Sequence, residues 1–228
     1  MAKISTGAEF LNTFLDGGYD YDIITTIYGP SGSGKTNLCL IAAVTMARSG
    51  KKVIFIDTEG GIAVERIKQL AFDYEQILPR LLFWNPLTFT EQKEILDNLR
   101  QHINDHIGLI IVDSISMLYR LELGRSEEVY EVNSALGRQM ACLVEIARRH
   151  KIPVLITNQV YADFEDKTKV KMVGGDLLKY GSKCLIELQR VDGGRTIFLR
   201  KHRSLSESKQ TAFCITETGI ELSSQSKN

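Results

Sequence analysis

Three features of the sequence predict an α/β fold with a mostly parallel central sheet and antiparallel strands appended at its C-terminal side. Short β-branched runs alternate with helix-periodic segments up to Asn158. A glycine-rich stretch, Gly29-Pro30-Ser31-Gly32-Ser33-Gly34-Lys35-Thr36, sits between the first such run and the first long helical segment. Beyond Ser182 strand-like runs follow one another, separated by turns instead of helices, as in an antiparallel meander.

At 228 residues and 43% hydrophobic content the chain can bury a sizeable core. A single domain is expected over residues 1–222, with the polar residues 223–228 as a disordered tail. Apolar runs such as residues 109–112 are far too short to span a bilayer, and residues 1–5 carry no apolar signal core, so a cytoplasmic location is expected. Cys39, Cys142, Cys184 and Cys214 are widely separated, with no C-x-x-C pair and no histidine at zinc spacing, and read as reduced thiols. Lysine plus arginine number 28 against 28 acidic residues, so overall charge does not argue for nucleic acid.

Taken in order, residues 6–16 carry Phe10, Leu11, Phe14 and Leu15 at helical spacing, ended by Gly17-Gly18. Residues 23–28 read as a strand. Leu38, Ile41, Ala42, Thr45 and Met46 mark a helix, capped by Gly50. Residues 53–56 are a buried strand, 62–71 a helix and 81–84 a strand. Thr88 and Glu91 form a capping box that starts a helix with Ile95, Leu99, Ile103 and Ile107 on one face. Residues 109–112 read as a central parallel strand. A long helix runs through Val129, Leu136, Met140 and Ala147 and stops before Pro153, after which residues 154–157 form a strand. Residues 182–189 and 195–200 form a hairpin around Asp192-Gly193-Gly194, and 211–216 add one more strand.

The pattern of residues 29–36 points to a phosphate-binding loop between strand and helix. Glycines let successive N–H groups turn onto phosphate oxygens, and the helix adds the positive end of its dipole. Lys35 is placed to reach the β- and γ-phosphates of ATP, and the Thr36 hydroxyl to ligate Mg²⁺, with Gly29, Ser31, Gly32, Ser33 and Gly34 lining the cradle. A carboxylate at the end of a neighbouring strand must help hold the metal, and Asp113 is the candidate. Strand ends converge on ligands in such sheets; two others end in Asp57-Thr58-Glu59 and Asn158-Gln159. Glu59 is the candidate general base, and Gln159 the residue that senses the γ-phosphate.

These motifs, with Gly60 after Glu59 and Gly174-Gly175-Asp176-Leu177-Leu178 before Ser182, resemble in order and interval the ATPase core of RecA-type recombinases, closest to the archaeal RadA group. The resemblance begins directly at the core, so RadA's N-terminal helix-hairpin-helix domain and subunit-hooking segment are not expected here. The chain has Arg200-Lys201-His202-Arg203 where filament-forming members place an acidic, proline-containing cap. A bare core with this basic motif is similar to the RadB family of archaeal paralogues. The resemblance implies a RecA-like fold, weak ATP hydrolysis, binding of single- and double-stranded DNA, and an accessory role in recombinational repair alongside RadA recombinase and a Holliday-junction resolvase. A homodimer is compatible with it.

On that basis Lys201, His202 and Arg203 are expected to contact DNA phosphates, as are Lys167, Lys169 and Lys171 where the family's second DNA loop lies. Arg66 resembles an arginine near the adenine in the family, and a helix-surface arginine is an equally good account. Tyr119 and Tyr130 flank the position of the first DNA loop, where stacking on bases is an alternative and packing is the expectation. Full strand exchange, or a KaiC-like ATPase acting on protein partners, stays open as an alternative at this point.

Overall fold

The structure, a computed structural model, describes residues 3–125, 128–162, 170–191 and 194–223. Two short strands, β1 (Lys3–Ile4) and β2 (Tyr19–Asp20), pair antiparallel on either side of α1 (Glu9–Phe14). Then come β3 (Ile24–Tyr28), α2 (Lys35–Arg48), β4 (Lys52–Asp57), α3 (Val64–Leu70), α4 (Tyr74–Ile77), β5 (Leu81–Trp84), α5 (Phe89–His102) and β6 (Ile107–Asp113). The second half comprises α6 (Met117–Leu123), α7 (Val129–His150), β7 (Val154–Asn158), a ribbon of β8 (Val160–Ala162) and β9 (Val170–Met172), α8 (Gly175–Gly181), β10 (Cys184–Val191), β11 (Gly194–Lys201), β12 (Gln210–Ile215) and β13 (Ile220–Leu222).

Nine strands form one sheet in the order β13-β12-β11-β10-β3-β7-β6-β4-β5. The six from β10 to β5 run parallel, and β11, β12 and β13 continue antiparallel. The expected α/β architecture is therefore observed, and the first tail residue, Ser223, extends the antiparallel edge by an N–H bond to Ala212 O. The rest of the tail and the hairpin tip at 192–193 lie outside the described residues.

Strand β6 shows why the parallel strands read as unbroken apolar runs. Successive side chains point to opposite faces, so Leu109 and Ile111 join the core beneath α2 while Ile110 and Val112 pack against α5 and α7. All four are fully buried. Helix α2 is buried nearly all round, which places its N-terminus within the sheet's own footprint.

Several elements differ from the sequence expectation. Helix α5 ends at His102, and Ile107 opens β6 instead of extending the helical face. Short elements with little periodic signal, α4, α6, α8 and the β8–β9 ribbon, emerge only with tertiary context. Of the cysteines, Cys39, Cys142 and Cys184 are buried, Cys214 is partly exposed, and all four are free thiols. Among the described residues no helix is long and apolar enough to cross a membrane.

The Thr88 cap of α5 forms as the sequence predicts, while the Glu91 side chain reaches back one residue beyond the N-cap, to Leu87. Thr88 Oγ1 accepts from Glu91 N at 3.1 Å, and Glu91 Oε2 accepts from Leu87 N at 2.7 Å. Thr88→Ala removes the cap and is expected to cost about 1 kcal/mol, a drop of about 2–4 °C in melting temperature for a chain of this size. Thermal melts followed by circular dichroism check this; an unchanged melting temperature would show that the cap carries no stability.

Candidate nucleotide-binding site

The parallel strands end together on one side of the sheet, and the predicted motifs sit on those ends. Strand β3 delivers the chain into residues 29–34, and α2 begins at Lys35. Gly32 (φ +72°) and Gly34 (φ +104°) take left-handed backbone conformations, which an L side chain resists. That is the physical reason for glycine at these two positions of the motif. The Ser33 hydroxyl is fully buried and meets no hydrogen-bond partner within the protein. A buried polar atom left without a partner is costly, and this one lies within the phosphate loop, 3.0 Å from where a Cβ would stand on Gly29.

Lys35 is buried, and its ammonium donates to Gly29 O and Pro30 O, both at 3.0 Å. Burial lowers its pKa, opposed by the negative charges of Glu59 and Asp113. Next to it, Thr36 Oγ1 donates to Asp113 Oδ2 at 2.7 Å. The other carboxylate oxygen of Asp113 accepts a short bond from the Thr157 hydroxyl. Burial pushes the Asp113 carboxyl above its ordinary range, the Thr157 and Thr36 hydroxyls oppose this, and Glu59 and Asp57 add like charge. The peptide joining Asp113 to Ser114 is cis.

Above this pair, Gln159 Nε2 donates to Glu59 Oε1 at 2.8 Å, spanning from β7 to the loop after β4 over the tip of β6. The loop bearing Glu59 is held by buried Asp57, whose Oδ1 accepts from Glu59 N at 3.1 Å and Gly60 N at 2.9 Å. Thr58 Oγ1 donates to Ser114 O at 2.7 Å and accepts from Ser114 N at 2.9 Å, fastening the two strand tips together. Sequence reading missed the parts played by Thr157 and Asp57. Their only signal was a polar residue at the end of an apolar strand.

A hydroxyl and a carboxylate in contact beside a phosphate loop suit Mg²⁺, which takes one or two protein ligands and fills its other positions with water and phosphate oxygens. Among the described residues no cluster of three or more His, Cys, Asp or Glu could hold a metal by itself.

Arg66 lies close to the start of α2 and is held by internal hydrogen bonds. Its guanidinium donates to Asn37 Oδ1 at 2.8 Å, Gln69 Oε1 at 2.9 Å and Glu217 O at 2.7 Å, linking α2 and α3 to the turn between β12 and β13. Burial lowers its pKa, with Glu217 opposing.

The Lys201-His202-Arg203 motif is placed differently. Lys201 pairs with Leu185 at the start of β10, so it lies at the end of the sheet opposite the phosphate loop. Its ammonium donates to Lys179 O and Ser182 O, both at 2.8 Å, closing the end of α8. The His202 imidazole is 2% exposed: Nε2 lies 3.3 Å from Asp20 Oδ2, and Nδ1 accepts from the N–H groups of Ser204 and Leu205, both at 3.2 Å. This inward orientation corrects the expectation of a phosphate contact by His202, because the ring offers no accessible donor. Arg203 pairs with Asp20 and Asp22, both at 3.1 Å, and keeps 22% of its side chain exposed. Lys167 and Lys169 lie outside the described residues; Lys171 falls in β9, beside the nucleotide end of the sheet. Tyr119 packs as expected, with its hydroxyl on Asn133 Oδ1 at 2.6 Å, whereas Tyr130 is 83% exposed and does not pack.

Comparison with known proteins agrees with this geometry. The family model described as Rad51 matches residues 1–223. A protein of Methanobrevibacter smithii named DNA repair and recombination protein RadB is 42% identical over 226 residues, covering 96% of this chain and 95% of that protein. Its namesake from Methanocaldococcus jannaschii is 41% identical over 214 residues, covering 93% of this chain and 99% of that protein. A solved structure titled as the RadB recombinase superposes with a TM-score of 0.82 at 36% identity, covering 96% of this chain and 99% of its own. With its sheet order, its phosphate loop and these full-length matches, the chain belongs to the RadB group of the Rad51 family.

Proposed function

We propose that the protein is a cytoplasmic ATP-binding factor that hydrolyses ATP slowly, binds DNA and assists homologous recombination and repair. The observation that carries the nucleotide part is the contact of Thr36 with Asp113 at 2.7 Å beneath the Glu59–Gln159 pair, all beside Lys35. In this reading the backbone amides of residues 31–36 and the Lys35 ammonium take the phosphates. Phosphoryl transfer needs positioning and charge neutralisation more than covalent chemistry. Thr36 and Asp113 would hold Mg²⁺, which when bound neutralises charge on the phosphates. Glu59 accepts a proton from the attacking water, and Gln159, already bonded to Glu59, is placed to report the γ-phosphate to β8 and β9, which follow it directly in the chain.

The DNA part is supported by the relatives, which are named as DNA repair and recombination proteins. We assign the main phosphate contacts to Lys167, Lys169 and Lys171, on the segment that follows Gln159. Lys201 and Arg203 contribute from the far end with whatever N–H groups their internal partners leave. RadA recombinase and a Holliday-junction resolvase are the proposed protein partners, and a homodimer is the proposed assembly.

Lys35→Ala should abolish ATP binding in a calorimetric titration while leaving the circular dichroism spectrum unchanged; ATP binding equal to the parent would remove the site. Glu59→Gln should retain binding within about twofold but lower turnover by about 10²-fold or more, as read from phosphate release; equal turnover would exclude Glu59 as the base. For DNA, the slope of log K against log salt on a single strand falls by about 0.7 for each phosphate that the protein no longer neutralises. The triple variant Lys167→Ala, Lys169→Ala, Lys171→Ala should flatten it more than Lys201→Ala with Arg203→Ala does. Unaltered slopes in both would overturn the DNA assignment.

A further inference from the structure

Strands β10 and β11 form an antiparallel pair in which Ile186 faces Leu199, Leu188 faces Ile197 and Arg190 faces Arg195. The first two pairs belong to the core that covers α2. Side chains two residues apart on a strand share a face, so the two arginines continue this apolar stripe at the point where α2 gives way to the phosphate loop. Arg195 Nε and Nη2 donate to Gly32 O at 3.3 and 3.1 Å. Its Cδ lies 3.7 Å from where a Cβ would stand on Gly34, and Arg190 Nη1 lies 3.7 Å from the corresponding point on Gly32.

Like charges directly opposite across an antiparallel pair are destabilising. Neither guanidinium meets a carboxylate among the described residues, and Arg190 makes no hydrogen bond there. Two guanidinium groups with no carboxylate partner among the described residues thus sit in register beside the phosphate loop. Guanidinium binds phosphate oxygens through charge-assisted, often bidentate hydrogen bonds.

We propose that Arg190 and Arg195 form a phosphate clamp supplied by the same chain, closing over the phosphates of a nucleoside triphosphate from the antiparallel side of the sheet. Arg195 also braces the loop through Gly32 O, whereas Arg190 acts only once the anion arrives. The clamp rests on the nucleotide-binding reading above and adds to it an interaction that scales with the number of phosphates.

The test is calorimetric titration of ATP, ADP and AMP against the full chain and its Arg190→Gln and Arg195→Gln variants, with the melting temperature of each nucleotide-free protein. Because Arg190 has no partner among the described residues, Arg190→Gln should leave the nucleotide-free melting temperature unchanged and weaken ATP about tenfold, as expected for loss of a charge-assisted hydrogen bond. ADP should suffer less and AMP little. Arg195→Gln should weaken ATP as much or more. A uniform weakening for all three nucleotides in both variants would reduce the arginines to loop bracing and overturn the clamp. Parent-like ATP affinity combined with weakened DNA binding would reassign them to DNA and overturn it too. If the parent binds ATP, Lys35→Ala does not, and both arginine variants bind like the parent, the clamp alone fails. If the parent binds no ATP, the nucleotide reading fails first and takes the clamp with it.

Discussion

The arrangement depends on one buried carboxylate. Asp113, at the tip of a strand buried on both faces, has one oxygen on the Thr36 hydroxyl and the other on the Thr157 hydroxyl. A buried carboxylate costs free energy unless hydrogen bonds or a cation compensate it, and the two hydroxyls compensate it only in part, since burial still raises its pKa. Because Thr36 is the second residue of α2 and Thr157 lies on β7, the same carboxylate fixes the phosphate loop against the two central strands. Glu59 and Gln159 meet above it because the strands carrying them flank β6 on either side.

Parallel strands separate the molecule into two chemically distinct ends. The C-terminal ends gather the phosphate loop, carboxylates and amide. The opposite end holds buried Asp20, ringed by Lys3, His202 and Arg203 at 3.9, 3.3 and 3.1 Å. That second cluster neutralises a buried charge and fastens the chain after β11 to the chain before β3. Its basic character follows from Asp20, so a run of basic residues in the sequence is not by itself a surface for polyanions. Between the two ends, Ser182 Oγ and Thr26 Oγ1 lie 2.5 Å apart in the interior, tying the end of α8 to β3.

Much of this was legible in the sequence because it is written in local pattern. Short, β-branched apolar runs ending in Asp57, Asp113 and Asn158 read as strands buried on both faces, and the glycine spacing of residues 29–36 placed the loop between strand and helix. The boundary at Ile107 was misread because an isoleucine four residues after Ile103 satisfies helical spacing as well as it opens a strand. His202 was misread because pattern shows charge but not direction: only the fold reveals that Asp20, far earlier in the chain, lies against it. The pairing of Arg190 with Arg195 was hidden for the same reason, since strand register decides which side chains share a face.

In the proposed function, main-chain amides at the head of α2 receive the phosphates of a nucleotide held with Mg²⁺ by Thr36 and Asp113. Amide hydrogen exchange across residues 29–37, compared with and without saturating Mg·ATP, addresses it most directly. Marked slowing of exchange is expected in this segment with Mg·ATP, and less slowing with ATP in the presence of a chelator. Exchange unchanged there by Mg·ATP, while the rest of the chain remains folded, would contradict it.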